Sequence, residues 1–416
     1  MPLPPLSPVL PFSAAAAPST PLGPFADSAV AWTTWVTLMG FVGLVALTAM
    51  AVGPVARRTE SATLGAATAR LSRAAVVLGV LAVPAVLTDL AHDASKTDGY
   101  DYGAAWNSLY DGSNGGRLSG LEVTLVLVGA VLVAPLTVRG IAAGPWRRWL
   151  LAAGLAAGAV ALGTTKFPDK TPDDWGRTSF DTLMWMLHLL GGAVWLGGLG
   201  GLVLLTLPGA VAAADRRGFW SPVIRRFSVV AMSSVAAIAL SGLFLYWEHV
   251  DGPTQLVTTM YGRVLGVKIL IFGALLLLGV FNQFWLHPRI EALRDDGDQR
   301  PLRTVLVRQF PVVVAVEVLL GLSLLFVAPF LHGSARNQAF QADAAKHSAV
   351  ALDHDHLPKL KAKEASTSTW VWGSAETIVV IGVMIAGYRV SGNLARRRSV
   401  AAAPVAAAEP AGLVQS

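Results

Sequence analysis

The stretch DTLMWMLHLLGGAVWLGGLGGL, Asp181–Leu202, decides the fold. After its opening aspartate it carries no Asp, Glu, Lys or Arg, and about 20 such residues are enough to cross a hydrocarbon core as a helix. The rest of the chain agrees. Of 416 residues, 54% are hydrophobic and only 14% charged, and the mean hydropathy is +0.56, so there are too few charges to cover a water-soluble surface of this size. Cysteine is absent, which excludes disulfides, thiolate metal sites, iron–sulfur clusters and thiol catalysis. The net charge of +6 sits in short arginine clusters between apolar runs. That is the pattern of membrane topology, with lipid as the surroundings and no nucleic-acid partner expected.

Apolar segments predict an all-α polytopic membrane protein with about nine transmembrane helices, near 30–54, 72–92, 119–139, 146–164, 179–208, 226–248, 262–286, 305–331 and 369–389. Arginines follow the odd-numbered spans, from Arg57 and Arg58 to Arg396–Arg398, while the alternate loops are acidic or mixed. By the positive-inside rule the N-terminus is outside and the C-terminus cytoplasmic. The implied divisions are a disordered tail over 1–28, an N-terminal four-helix half over 29–165 and a second four-helix domain over 178–332. An extracytoplasmic loop over 333–368, a ninth span over 369–389 and a cytoplasmic tail over 390–416 complete the chain. A parallel repeat of four spans is suggested: GRLSGLEV from Gly116 aligns with GRVLGVKI from Gly262, and WVTLMGFVGL from Trp35 with WMLHLLGGAV from Trp185.

Within the fifth span Met184 and His188 are four apart and share a helix face, whereas Met186 faces elsewhere. A thioether with an imidazole suits copper, although methionine is also ordinary apolar filler and a histidine can simply bond a neighbouring helix. The glycines read as places of close helix approach, with Trp195 a packing residue beside them. His92, His249 and His332 end their spans on the same outer side, as candidate ligands around the mouth above His188. In the outer loop His354 and His356, flanked by Asp353 and Asp355 and aided by His347, form a second candidate for Cu(II) or zinc capture. Glu122, Lys268 and Glu317 lie inside spans, where a charge needs a partner or a wet cavity. Glu122 and Lys268 hold equivalent places in the repeat, and Glu317 is the better candidate for a polar path. There is no Walker loop, dinucleotide fingerprint, HExxH or Ser/His/Asp pattern, so an enzymatic function is not expected.

The segments HLLGGAVWLGGL from His188, RFSVVAMSSVAAIALSGL from Arg226, YGRVLGVKILIFGALLLLGVFNQ from Tyr261 and VAVEVLLGL around Glu317 resemble the CopD family of bacterial inner-membrane copper proteins. The resemblance implies copper transport, homeostasis or resistance at a bacterial cytoplasmic membrane, with copper taken from the outer side. It also implies a separate CopC-type periplasmic carrier as a partner. By position it singles out His188, Trp195, Arg226, Gly262, Arg263, Lys268, Asn282 and Glu317. Two other readings stay open: a membrane cytochrome holding haem b between histidine-bearing helices, and a non-transporting scaffold for assembly of copper enzymes.

Overall fold

A computed structural model describes residues 25–58, 61–95, 99–250, 253, 255–258, 260–282, 310–331 and 367–402, and among them all regular structure is helical. The long helices, in chain order, are α1 (Phe25–Leu47), α2 (Ser61–Ala94), α3 (Asn114–Val133), α4 (Arg147–Thr164), α5 (Trp175–Thr206), α6 (Arg216–His249), α7 (Met260–Phe281), α8 (Phe310–Val327) and α9 (Thr367–Ala402). α1 continues through a π turn, Thr48–Val52, into Gly53–Ala56. Phe25–Ser28, expected in the tail, already belong to α1, and α9 runs past residue 389 to Ala402. Residues 1–24 and most of the loop over 333–368, with His332, His347, His354 and His356, lie outside the described residues.

Seven stretches among the described residues are long and apolar enough to cross a membrane, one each in α1 to α3 and α5 to α8. The protein is a multi-pass, all-α membrane protein. The other two of the nine expected spans are helices too. α4 opens on Arg147 and Arg148, which lower its mean hydropathy, and the apolar part of α9 is the shorter Trp370–Ala386. α4 still passes between the two faces: Arg147 lies near Arg57 at one end, and just beyond the other end Lys166 Nζ sits 4.3 Å over the Trp185 ring. Its 18 residues give about 27 Å of rise, close to a hydrocarbon thickness.

The alternation of charges in the sequence becomes two distinct faces. On one, Arg70 of α2 donates to the carbonyls of Leu207 at 2.7 Å and Pro208 at 2.6 Å, beyond the end of α5. Arg73 donates to Thr137 at 3.1 Å, just after α3. Helix ends leave carbonyls without intrahelical partners, and guanidinium forks satisfy them. On the opposite face the helix starts are capped by acceptors. Ser113 Oγ accepts from Gly116 N–H at 2.9 Å before α3, and Asp174 Oδ1 from Arg177 N–H at 3.1 Å before α5. Hydrogen bonds from the Ser113 hydroxyl and N–H hold the Asp111 carboxyl below the usual carboxylate range.

The halves α1–α4 and α5–α8 are built on one plan. In each, the first helix packs on the second, the third on the fourth, and the first on the fourth. α1 packs directly on α5, and the seam is made by backbone. A Cβ on Gly43 would fall 2.6 Å from Gly197 Cα, and one on Gly197 would fall 2.7 Å from Gly43 Cα. Small residues bring helices together in lipid because dispersion, not water exclusion, drives their association. The plan breaks at one place. α2 packs on α3 along its length, but among the described residues their counterparts α6 and α7 meet only near one end, where Tyr246 and His249 lie against Tyr261. Of the seven apolar stretches that of α7 is the least buried, with Leu270 74% and Leu277 73% exposed.

Candidate functional site

The gap between α6 and α7 is a cavity of about 740 Å³, walled also by α1, α5, α8 and α9. α5 supplies a stripe at helical spacing: Asp181, Trp185, His188, Leu189, Gly192, Trp195, Leu196 and Leu199. α6 contributes Gly242, Tyr246, Glu248 and His249, and α7 contributes Tyr261, Lys268 and Phe272. α8 brings Glu317 and Gly321, and α9 brings Glu376. The wall is mainly apolar, with a few polar groups converging on it, which is the usual make-up of a ligand site.

His188 is held by α6. Its Nδ1 is 3.2 Å from Ser241 Oγ, and that hydroxyl donates to the Ala237 carbonyl at 2.5 Å. With its only hydrogen spent there, Ser241 accepts from His188 Nδ1–H, and in the neutral ring Nε2 is left with the lone pair. Gly242 makes room for the imidazole: a Cβ there would fall 3.3 Å from His188 Cε1. His249 reaches the same tautomer by another route, since its Nδ1 lies 2.7 Å from the Leu245 carbonyl, which can only accept. Its ring also stacks on Tyr261 with centroids 6.0 Å apart. An imidazole fixed through Nδ1 with Nε2 left for a guest, as in His188, is the arrangement that metal-binding histidines use.

His249 and Glu248 mark the mouth, at the end of α6 away from the arginine-rich face. There Arg177 spans two carboxylates, 3.9 Å from Asp181 and 3.8 Å from Glu248. The floor lies deep. Glu317 is 14 residues before Leu331, roughly 20 Å of helix rise. Its Oε1 accepts from Asn282 Nδ2 at 2.6 Å, which ties α8 to the far end of α7.

The structure thus brings together His188, His249, Lys268 and Glu317, with Asn282 at the floor. Trp195 both packs and lines, meeting Phe272 edge-on at 5.9 Å. Met184 shares a broad face with His188 but falls one residue off the cavity stripe and is not in the wall. The thioether in the wall belongs to Met39 of α1, beside Trp35. The aligned WVTLMGFVGL segment was the available signal for both. His92 sits in the other half, its ring 5.6 Å from Tyr100, and does not line this cavity. Arg263 is outside the cavity and donates to the Val257 carbonyl at 3.0 Å. Glu122 is buried in the N-terminal half, near Asp89 of α2. Among the described residues no three His, Asp or Glu side chains form a closed metal site.

Residues 221–331 match the family described as CopD, copper resistance protein D. The chain is also 37% identical over 100 residues to the copper transport protein CutJ of Bacillus subtilis (strain 168). That alignment covers 24% of this chain and 18% of the relative, so the chain spans well under two thirds of that protein. No solved structure matches it significantly. The family match takes in α6, α7 and α8 but not α5, so His188 reaches the cavity from outside the matched segment. The resemblance to CopD carried by the sequence is borne out over residues 221–331 of this multi-pass membrane protein.

Proposed function

We propose that this chain carries copper across a bacterial cytoplasmic membrane, taking it in at the mouth beside His249 and passing it by His188 towards Glu317. The observation that carries this reading is the cavity between α6 and α7, which joins two tautomerically fixed histidines to a buried carboxylate on one continuous wall. The carboxylates of Asp181, Glu248 and Glu376 attract cations to the entrance. Met39 and the two imidazoles then offer soft and borderline donors without closing a complete shell, which suits a cargo that has to leave again. Copper enters here as substrate, and a separate CopC-type carrier would deliver it at the mouth. The depth of the cavity supports transport over a scaffolding role.

Copper uptake into vesicles containing the purified protein tests this. His188→Ala is expected to lower the initial rate by at least about tenfold, the scale on which weakened metal sites lose affinity. Equal uptake by the two proteins would remove His188 from the route, and no uptake by either would return the chain to the scaffold reading. The haem reading predicts a reducible Soret band in the same preparation, and the copper reading predicts none.

A further inference from the structure

At the floor of the cavity two neighbouring oxygens, one on Glu317 of the wall and one on its partner Asn282, call for a positive guest. Asn282 Nδ2 already donates to Glu317 Oε1, whereas Glu317 Oε2 and Asn282 Oδ1 are buried and have no hydrogen-bond partner among the described residues. Glu317 is 3% exposed and lines the cavity. Acceptors shut away from water are normally satisfied, so their isolation calls for an explanation. A calcium or magnesium ion takes about six or more oxygens. This pair offers two, and no cluster of three or more His, Asp or Glu side chains stands among the described residues. A hydrogen needs a single oxygen to carry it.

We propose that Glu317 holds a proton on Oε2, and that copper reaching the floor displaces it, so that copper and protons are exchanged through this cavity. The proposal rests on the copper reading above. Its balance is simple for Cu(I): one monovalent cation replaces another on the carboxylate, no electron moves, and the released proton leaves into the cavity towards the mouth. α8 packs on α7, α5 and α1. α7 brings Lys268 to the cavity, α5 brings His188 and, nearer the mouth, Asp181, and α1 brings no titratable group. Lys268 and His188 therefore line the way out. After the copper has passed, the carboxylate regains a proton from the arginine-rich side.

Two measurements on the full chain test the exchange. In vesicles enclosing a pH-sensitive dye and given Cu(I) outside, copper entry should make the interior more alkaline. Glu317→Gln keeps the shape and the bond to Asn282 but has no acidic proton to release, and should lower the number of protons moved per copper at least tenfold. An unchanged ratio in the variant, or copper movement without protons in the wild type, would overturn the proposal. The infrared spectrum at neutral pH needs no copper. A protonated-carboxyl C=O band should be present in the wild type and in Glu122→Gln, and its Glu317 component should be absent in Glu317→Gln. If no such component exists, the proton is not there. If it exists while no copper moves, the copper reading has failed and the proton site has not.

Discussion

In the N-terminal half the ring of Phe41 fills the space between helices. A Cβ on Gly79 of α2, Gly129 of α3 or Gly158 of α4 would fall within about 3 Å of it. Aligning Trp35 with Trp185 puts Gly191 of α5 at the matching place, and puts His188 where the N-terminal half has the buried Leu38. Gly191 in turn faces α6, its Cβ position 2.9 Å from the Ser234 carbonyl. One half therefore closes on a large aromatic plug and three glycines. The other draws α5 tightly to α6, leaves α7 standing off, and keeps a polar residue on the side that faces the gap. The same four-helix plan becomes a packed strut or a chamber according to side-chain size at a few positions on its first helix.

Phe41→Ala is the strongest way to break this comparison. It should cost about 3 kcal/mol or more, the usual scale for emptying a buried aromatic site, read as a lower midpoint in thermal unfolding in detergent. Copper uptake per folded molecule should be unchanged, and a fall in it would show that the plugged half takes part in transport.

Ser241→Ala acts on the chamber. It removes the acceptor that fixes His188 Nδ1, and a lost orienting bond of this kind weakens metal binding by about tenfold. Direct titration of copper into the purified protein would measure it, and unchanged affinity would mean that packing against Gly242 alone holds the ring. The smallest effect belongs to Glu376→Gln, which thins the negative charge at the mouth without touching the histidines. Uptake at low salt should fall about twofold and the difference should shrink as salt rises, because exposed charges are screened over about 10 Å at 0.1 M. A salt-independent loss would instead make Glu376 a ligand.

Much of the fold was legible because each span announces itself by length and by the arginines at one end. The two helices that fall short of the others, α4 in hydropathy and α9 in apolar length, show the limit of that signal. In α4 two arginines open the helix, and the placement of Arg147 beside Arg57 appears only in three dimensions. His188, His249, Lys268 and Glu317 were readable because a polar group inside or at the end of an apolar run needs a reason. The glycines of the opening stretch were read correctly as contact points: Gly197 meets Gly43, Gly198 meets Phe227 and Gly201 meets Leu47. Gly200 is the exception, with open space around it. That Met184 stands off the cavity wall has a general reason. Sequence spacing says which residues share a helix face, and it does not say how that face is turned. Met39 and Trp35 belong to a helix of the other half, and the segment aligned on Trp35 marked them without saying that packing would bring them to this cavity.

The seam between α1 and α5 restricts how such a protein can move. Many carriers expose a site to each side in turn by rocking one half against the other. Here the two backbones meet at Gly43 and Gly197 with no side chains between them to slide or repack, so the halves form one rigid frame. Any opening that admits a guest to the chamber is then left to α7, which rests on α8 and meets α6 at its outer end, where Tyr261 stacks on His249.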